Sequence, residues 1–289
     1  MNGILLIDKD QDWTSNDVVV KLKGILHERR IGHAGTLDPM ATGLVVAFVG
    51  RATRGVEFAE EHDKRYTAHL RLGISTDTQD ITGNVLEKKP VELAPGALEA
   101  VLERFRGPIE QIPPMYSALK HNGQRLYDIA RKGGTVDRPP RPVTIHSLEL
   151  AGMEGEDYVL EVHCSKGTYV RTLCHDIGQA LGCGACMSYL RRTQAGAFTL
   201  DKAVKLADVQ AMADQGRAEE LLIPLDSLFP TTASCTASAA QERRIRCGNS
   251  VKTDLAPGTY RVYSQQGEFL MLGRVDEGIM KTVKSFFEV

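Results

Sequence analysis

The chain has 289 residues with a formal net charge of −2 at pH 7, and 42% of its residues are hydrophobic, so it can bury the core of one large domain or of two. Its longest apolar run, GLVVAFV, is far shorter than the ~20 residues of a transmembrane helix, which argues against a membrane protein. The N-terminus lacks the basic segment that opens a secretory signal, and we expect a cytoplasmic protein.

The first part of the chain alternates predicted strands and helices. GILLID predicts a short buried strand, and TSNDVVVKLKGILHE predicts a helix that Thr14 or Ser15 caps and whose N-terminal dipole suits Asp17. TGLVVAFVG predicts a second buried strand. RYTAHLRL alternates apolar and polar residues, as a half-exposed strand of an antiparallel sheet does. GALEAVLERFRG predicts a helix that ends before a Gly-Pro pair.

A basic segment rich in proline and glycine follows, from about residue 114 to 142, and its composition is typical of an insertion. YVLEVHC then predicts a strand, and TYVRTLCHDIGQALG predicts a helix between Thr168, which can cap it, and Gly182. LADVQAMADQGRAEELL predicts further helix. Beyond residues 223–230, segments such as TYRVYS and EFLMLGRV indicate a small β domain.

Six cysteines are too few for a disulfide framework in a chain of this length. Cys183 and Cys186 form a CGAC sequence, but no second pair of cysteines or histidines lies nearby at the spacing of a zinc site. We interpret the pair as small buried thiols at a turn rather than as metal ligands or a redox pair.

Positive charge is concentrated in two stretches of this near-neutral chain. The insertion contributes Lys120, Arg125, Arg131, Lys132, Arg138 and Arg141. The second stretch is RRIRCGNSVK, residues 243–252. Two basic stretches suit the binding of a polyanion, although a solvated charged face would give the same pattern.

Asp38 is a single acidic residue among small and apolar neighbours in GHAGTLDPMATGLV, residues 32–45. Pro39 pushes it toward an extended backbone, and the nearby glycines allow close approach of a ligand. A carboxylate on a rigid loop before a buried strand can act as a nucleophile or as a general acid or base. An Asp-Pro turn explains the same residues, and local chemistry alone favours the turn.

Two distant residues could complete a site if folding brings them to Asp38. Arg171 lies in the first turn of a predicted helix, and an arginine beside a carboxylate keeps it ionised. Tyr66 lies on the inner face of its predicted strand, where its ring could stack on a nucleobase. A surface cation and a core tyrosine are the alternatives, and the physics of the sequence leaves them open.

The segments around these residues resemble the motifs of the bacterial tRNA pseudouridine-55 synthases, the TruB family. The matching segments are GILLIDKDQDWTSNDVV, GHAGTLDPMATGLV, DKRYTAHLRLGISTDTQD, CSKGTYVRTLCHDIG and SYLRRTQAGAF, in the order of the family. They span residues 3 to about 198. Beyond about residue 229 the resemblance, to a PUA-type RNA-binding domain, is weaker.

The resemblance implies a role for individual residues of the site. Asp38 would be the nucleophile, Tyr66 would stack on the target base, and Arg171 would pair with Asp38. Leu190 would wall the uracil pocket, and His33 would lie against the RNA and help to hold its loop open. Asp80 would join a supporting polar network and Lys9 would be a structural lysine, although Asp10 stands where the family commonly has proline.

The implied reaction detaches a uracil of the tRNA T loop from ribose, turns it and joins its C5 to C1′. It involves no redox change, so no cofactor and no metal are expected. Asp38 could attack C6 of the ring or C1′ of the ribose, and the sequence does not choose between them. The nucleotide must first be flipped out of its stack. The basic insertion would grip the T arm through phosphates.

We expect an α/β (α+β) fold with a pseudouridine synthase core, a mixed, largely antiparallel sheet, the basic insertion and a small C-terminal β (PUA-like) domain. Residues 1–228 would form the catalytic domain and 229–289 the RNA-binding domain. The protein would act as a monomer on tRNA, without a guide RNA and without a membrane, and could also assist tRNA folding. A non-catalytic RNA-binding protein and a guide-RNA-dependent synthase are the alternatives; the insertion favours the stand-alone enzyme.

Overall fold

The computed structural model describes residues 1–288, which form two main β-sheets with helices packed against them. The strands of this part of the chain are β1 (Gly3–Lys9), β2 (Ile31–Ala34), β3 (Thr42–Val49), β4 (Lys64–Leu72), β5 (Ile74–Thr76), β6 (Val85–Lys88), β7 (Gly107–Gln111), β8 (Lys120–His121), β9 (Gln124–Arg125), β10 (Arg141–Glu154), β11 (Asp157–Cys164), β12 (Ala185–Ala195), β13 (Phe198–Thr199), β14 (Ala233–Thr236), β15 (Val251–Lys252), β16 (Gly258–Tyr263), β17 (Phe269–Asp276) and β18 (Ile279–Ser285). The α-helices are α1 (Ser15–Leu26), α2 (Val56–Glu60), α3 (Ala97–Arg104), α4 (Leu126–Arg131), α5 (Val170–Leu181), α6 (Leu206–Asp214) and α7 (Ala239–Arg246), and 3-10 helices span Gly50–Gly55, Leu200–Lys202, Ala218–Leu221 and Leu225–Leu228. None of the helices within residues 1–288 is long and apolar enough to cross a membrane.

The larger sheet has the strand order β1-β3-β12-β4-β11-β10-β7, with β2 added on β3 and β13 on β12. Its pairings are antiparallel except that of β3 with β12, which is parallel and joins only two residue pairs, Arg191 with Thr42 and Arg192 with Gly43. The prediction of a mixed, largely antiparallel sheet is therefore confirmed. Both β2 and β12 pair with the edge of β3 that faces away from β1: β12 pairs with the start of β3 and β2 with its end. The loop between β2 and β3 must therefore run beside β12.

Strand burial follows the sequence pattern. β3 is buried along nearly its whole length, as its continuous apolar run predicts. In β4 every second residue is buried and the residues between them are exposed or partly exposed, so that Tyr66, Ala68, Leu70 and Leu72 face the core. The predicted alternation is confirmed, and it fixes which face of β4 the side chain of Tyr66 occupies.

Helices α1 and α5 pack on the core face of this sheet. Of the two predicted caps of α1, the structure shows Thr14, which forms a reciprocal capping box with Asp17. Val18 and Leu22 of α1 are fully buried, and each contributes about 1.5–3 kcal/mol of apolar burial. The predicted cap of α5 is wrong: the helix begins at Val170, and the Thr168 hydroxyl donates instead to the carbonyl of Ser165.

The basic insertion forms a small hairpin, β8 and β9, followed by α4 and an irregular segment. Its predicted end needs correction, because Arg141 already belongs to β10, which pairs with β7 in the larger sheet. Proline at 142 is tolerated there since it is the second residue of the strand and lies before Ile145, where the pairing of β10 with β11 begins.

The smaller sheet has the order β14-β16-β17-β18-β15 and carries α7 on the chain between β14 and β15. Two of its strands, β16 and β17, correspond to predicted strand segments, whereas α7, in which Ile245 is the one buried residue, was not predicted. The ring centroid of Phe229 lies 5.2 Å from that of Phe58 in α2 and 6.2 Å from that of Phe269 in β17, so aromatic rings connect this sheet to α2. The division into domains at residue 228 and the PUA-like character of the second part stay predictions.

Cys183 and Cys186 are buried and carry free thiols. They lie where α5 ends at Gly182 in a left-handed conformation and β12 begins at Ala185. This is the arrangement of small buried thiols at a turn that the sequence predicts.

Candidate active site

The loop between β2 and β3 carries Asp38, and polar groups from α1 and β1 fix its backbone. The amide of Leu37 donates to the buried hydroxyl of Ser15, at 2.8 Å. The ammonium group of Lys9 donates to the carbonyl of Pro39, at 3.2 Å, and also to two carbonyls of its own turn. Lys9 is 1% exposed, so the cation is enclosed by the carbonyls that it binds. These contacts hold the loop on both sides of Asp38.

The structure brings Asp38, Arg171 and Asp80 together. Nη2 of Arg171 donates to Oδ1 of Asp38 at 3.2 Å, and Nη1 of Arg171 lies 3.7 Å from Oδ2 of Asp80. The side chains of Arg171 and Asp80 are 7% and 6% exposed, whereas that of Asp38 is 30% exposed. One buried guanidinium therefore pairs with two carboxylates, and of these three side chains Asp38 is the most exposed.

The backbone at Asp38 also forms a turn, because the amide of Ala41 donates to the carbonyl of Asp38 at 3.0 Å. The Asp-Pro turn and the exposed carboxylate are thus properties of the same residue. The two interpretations that the sequence left open do not exclude each other.

The pKa of Asp38 is raised above its ordinary value, and burial is the main cause. The charge of Arg171 opposes this rise, Asp80 adds to it, and Lys9 opposes it weakly. We expected Arg171 to keep the carboxylate ionised. Its charge does act in that direction, but removal from water has the larger effect.

Tyr66 and Leu190 lie beside each other on the adjacent strands β4 and β12, with Leu190 opposite Ala68 in the register. They are 8% and 6% exposed and belong to the same apolar cluster as Leu37 and Met40 of the loop. Burial raises the pKa of the Tyr66 phenol, so the ring is neutral and suited to stacking. The two side chains give the loop an apolar flank.

His33 lies on β2 rather than in the loop itself. Its Nδ1 is buried without a hydrogen-bond partner among the described residues. Burial lowers the pKa of His33, and the charge of Arg192 lowers it further. The neutral imidazole is therefore favoured at this position.

Asp80 is held in a turn by its neighbours. Its Oδ1 accepts from the hydroxyl of Thr78 at 2.9 Å and from the amide of Thr82 at 3.0 Å. The bonds leave Oδ2 directed to Arg171. The supporting role that the resemblance implies for Asp80 stays a prediction.

Sequence reasoning missed three residues that support Arg171 or the loop. Gln111 binds the backbone of Tyr169, the residue before α5, through both its amide oxygen and its amide nitrogen, at 3.0 and 3.2 Å. The Tyr169 ring centroid lies 5.9 Å from the guanidinium carbon of Arg171. Arg192 binds two carbonyls at the ends of the Asp38 loop. No local pattern announces such contacts, because the partners are far apart in the chain.

In the insertion, the structure leaves most of the predicted cations in solvent. Lys120, Arg125, Arg131, Lys132 and Arg141 are exposed. Arg138 differs, because its Nη1 donates to the carbonyl of Pro113 at 3.1 Å. Tyr127 lies between two guanidinium groups, with Arg125 at 5.6 Å and Arg131 at 5.3 Å from its ring centroid. The exposed face of α4 and of the hairpin is therefore positive.

Within residues 1–288, one group of three possible metal ligands lies together, formed by Asp63, His146 and His163, with ligand atoms within 4.8 Å of one another. His146 already pairs with Asp63 at 3.2 Å. Neither Cys183 nor Cys186 belongs to this group, and neither do Asp38 and Arg171. The expectation of no metal and no cofactor stays a prediction.

The partly exposed carboxylate of Asp38, with its buried arginine and a neighbouring aromatic ring, lies in a fold that is also found in solved structures. The fold is similar to that in the crystal structure of a Cbf5-Nop10-Gar1 complex, with a TM-score of 0.75 and 24% identity over 99% of this chain and 85% of that one. It is also similar to that in the structure of an H/ACA RNP bound to a substrate RNA containing 2′-deoxyuridine, with a TM-score of 0.74 and 22% identity over 99% and 85%. At these identities the likeness shows the fold.

The family follows from the sequence comparisons. Residues 23–170 match the TruB family pseudouridylate synthase (N terminal domain), and residues 171–230 match the tRNA pseudouridylate synthase B C-terminal domain. The chain is 44% identical over 282 residues to tRNA pseudouridine synthase B of Stutzerimonas stutzeri, covering 96% of this chain and 92% of that protein. It is 40% identical over 289 residues to tRNA pseudouridine synthase B of Aeromonas salmonicida, covering 96% and 91%. The chain belongs to the TruB family and is a pseudouridine synthase, which confirms the resemblance and the predicted enzyme class.

Proposed function

We propose that the enzyme converts the uridine at position 55, in the T loop of tRNA, to pseudouridine. The names of the relatives support tRNA as the substrate, since proteins 40–44% identical over almost the whole chain are tRNA pseudouridine synthases. The observation that carries the proposal is the contact of 3.2 Å between Asp38 and Arg171, formed across 133 residues of chain at the edge of an apolar wall. The position in the T loop rests on the resemblance of the motifs.

In this proposal Asp38 is the nucleophile. Arg171 binds Oδ1, and the 30% exposure of the side chain leaves the carboxylate accessible to the ring or to the ribose. The N1–C1′ bond breaks, the C5–C1′ bond forms, C5 loses a proton and N1 gains one. Electrons balance without an oxidant or reductant, so the chain's own groups suffice. Attack on C6 and attack on C1′ both satisfy this balance.

The uridine must leave the stack of the T loop before it can reach Asp38, at a cost of a few kcal/mol. Tyr66 and Leu190 supply the apolar surface that receives the base, and stacking on the Tyr66 ring offsets part of that cost. His33, neutral and one strand away, would contact the rearranged RNA loop. Asp80 and Lys9 serve as supports, Asp80 by orienting Arg171 and Lys9 by fixing Pro39.

The exposed cations of the insertion support binding of the T arm through its phosphates, because they form a positive face around α4. This surface, carried on the catalytic chain itself, supports action by a single protein without a guide RNA. The C-terminal sheet, with Arg243 and Arg244 exposed on α7, would bind a further part of the tRNA. Action in the cytoplasm and a second activity in tRNA folding belong to the same proposal.

The test is tritium release from unmodified tRNA carrying C5-labelled uridine, with purified protein and no added cofactor or RNA. We expect stoichiometric release of one tritium per tRNA. The matched control is the same tRNA with cytidine at position 55, from which release should stop. Release that persists in the control would refute the position, and release that requires a second RNA would refute the stand-alone enzyme.

A further inference from the structure

Arg192 is a fully buried cation without an acidic partner. Its exposure is 1%, and it heads the fully buried side chains of the described residues by size. No carboxylate within residues 1–288 lies within 4.0 Å of its guanidinium nitrogens. Arg191, the next residue along β12, faces the other way and pairs with Asp8 at 3.0 Å. Burial of an unpaired guanidinium is costly, so its place in the fold needs a physical reason.

The guanidinium binds both ends of the loop that carries Asp38. Nη2 donates to the carbonyl of Gly35 at 3.0 Å, and Nε donates to the carbonyl of Leu44 at 2.7 Å. Residues 35 and 44 bracket the loop, so a single rigid group fixes the distance between its two ends. An ammonium group could not meet two such carbonyls with the same fixed geometry.

The same residue faces Tyr66. Arg192 lies opposite Tyr66 in the pairing of β12 with β4, and opposite Gly43 in the pairing of β12 with β3. Burial raises the pKa of Tyr66, and the nearby charge of Arg192 acts in the opposite direction. Arg192 thus binds the loop of the proposed nucleophile and lies opposite the proposed stacking residue on the neighbouring strand.

The Asp38 loop approaches Arg192 closely at two glycines. Gly35 has φ +76°, and a Cβ at that position would lie 3.2 Å from Nη1 of Arg192. Gly43 has φ +97°, and a Cβ there would overlap the backbone carbonyl oxygen of Arg192. Glycine at these two positions, both with positive φ, therefore lets the loop lie close to the side chain and to the backbone of Arg192.

The neighbouring cations show that the charge of Arg192 is not neutralised locally. Burial lowers the pKa of Lys64, and Arg192 lowers it further. The ammonium group of Lys64 binds the carbonyls of Glu60 and His62, at 2.7 and 2.5 Å, rather than a carboxylate. Burial also lowers the pKa of His33, and the charge of Arg192 lowers it further. The buried guanidinium of Arg192 therefore lies close to other basic groups that its charge disfavours in their protonated form.

We propose that Arg192 is the positioning residue of the site: it fixes the Asp38 loop against the strand of Tyr66 and so sets the separation of nucleophile and stacking ring. The inference rests on the roles proposed above for Asp38 and Tyr66. Arg192 does not touch the substrate. Its effect on turnover arises through the loop, where a displacement of about 1 Å can cost on the order of 100-fold in rate.

The test compares Arg192→Lys, which retains the charge, with Arg191→Lys, its neighbour on the opposite face of β12. Single-turnover tritium release should fall about 100-fold in Arg192→Lys and stay within about twofold of wild type in Arg191→Lys. The Kd for tRNA should change less than about threefold in both. Rates are measured at a temperature where unfolding curves show each variant to be folded, so that a loss of stability alone cannot lower the rate.

Hydrogen exchange gives a readout that does not depend on activity. Peptides covering residues 35–44 should exchange about tenfold faster in Arg192→Lys than in wild type, while peptides from β10 stay unchanged. Unaltered exchange in the loop, or a turnover within twofold of wild type, would overturn the inference. Failure of the wild-type protein to release tritium from tRNA would instead refute the proposed function, and the exchange result would still decide whether Arg192 fixes the loop.

Discussion

Replacing Arg171 with methionine tests the charge arrangement of the site. One guanidinium faces two carboxylates, at 3.2 Å from Asp38 and 3.7 Å from Asp80, and both Arg171 and Asp80 are almost fully buried. Removal of one partner of a buried ion pair costs about 3–5 kcal/mol, because the remaining charge is left without compensation. The contribution of Asp38 is smaller, since its side chain is 30% exposed and partly screened by water. We therefore expect Arg171→Met to lower the free energy of unfolding by about 3 kcal/mol at pH 7.5.

The pH dependence of this loss has a definite sign. Burial and Asp80 already raise the pKa of Asp38, and Arg171→Met removes the main opposing charge. A carboxylate with a raised pKa in the folded state binds its proton more tightly there than in the unfolded chain, so stability falls as pH rises through that pKa. The gap between variant and wild type should consequently be larger at pH 7.5 than at pH 5.

Urea unfolding at the two pH values measures both effects. Asp80→Asn added to Arg171→Met should restore about 1 kcal/mol or more, because it removes one of the two uncompensated charges. Arg243→Met, on the exposed face of α7, is the control and should change stability by less than about 0.5 kcal/mol. If Arg171→Met behaved like Arg243→Met, or if Asp80→Asn restored nothing, the proposed charge balance would be wrong.

Two further predictions concern the supports of the site and the RNA surface. Burial lowers the pKa of Lys9 to about 8 from 10.5, so the unfolded state binds this proton more tightly than the folded state. As pH rises from 8 to 10.5, the free energy of unfolding of the wild type should therefore increase by about 3 kcal/mol from this group. Lys9→Met should lack that gain in urea unfolding, and parallel pH profiles of the two proteins would contradict the shift. The double variant Arg131→Glu with Lys132→Glu should weaken tRNA binding. The slope of log K against log salt concentration should become shallower by about 0.7–0.9 for each phosphate contact that is lost. The control Lys23→Glu, a charge reversal on α1, should leave this slope unchanged. Filter binding at several salt concentrations decides this, and equal slopes for both reversals would remove the insertion from the RNA surface.

Local patterns predicted most of the elements around the site. The alternation in RYTAHLRL placed Tyr66 on the core face of β4, and the Thr14–Asp17 pattern predicted the start of α1. These features depend on neighbours a few residues apart, which a sequence displays directly. The sequence did not predict α7, because a short helix with one buried residue has no apolar stripe.

The site itself could not be derived from local physics. Asp38 and Arg171 are separated by 133 residues, and only the resemblance of the motifs suggested that they meet. Arg191 and Arg192 show the same limit, because they are identical neighbours in the sequence. The residue Arg192 is 1% exposed, whereas the side chain of Arg191 is 32% exposed. Which of them lies against the Asp38 loop depends on the strand register, including the irregularities in the pairing of β12 with β4.

Asp38→Asn tests the proposed nucleophile, because the substitution keeps the size of the side chain and removes its nucleophilic charge. Single-turnover tritium release from unmodified tRNA should fall to the level of a reaction without enzyme. The Kd for tRNA should stay within about threefold of wild type, since the insertion and the apolar wall are unchanged. Turnover within about tenfold of wild type, with tRNA binding intact, would contradict the assignment of Asp38 as the nucleophile.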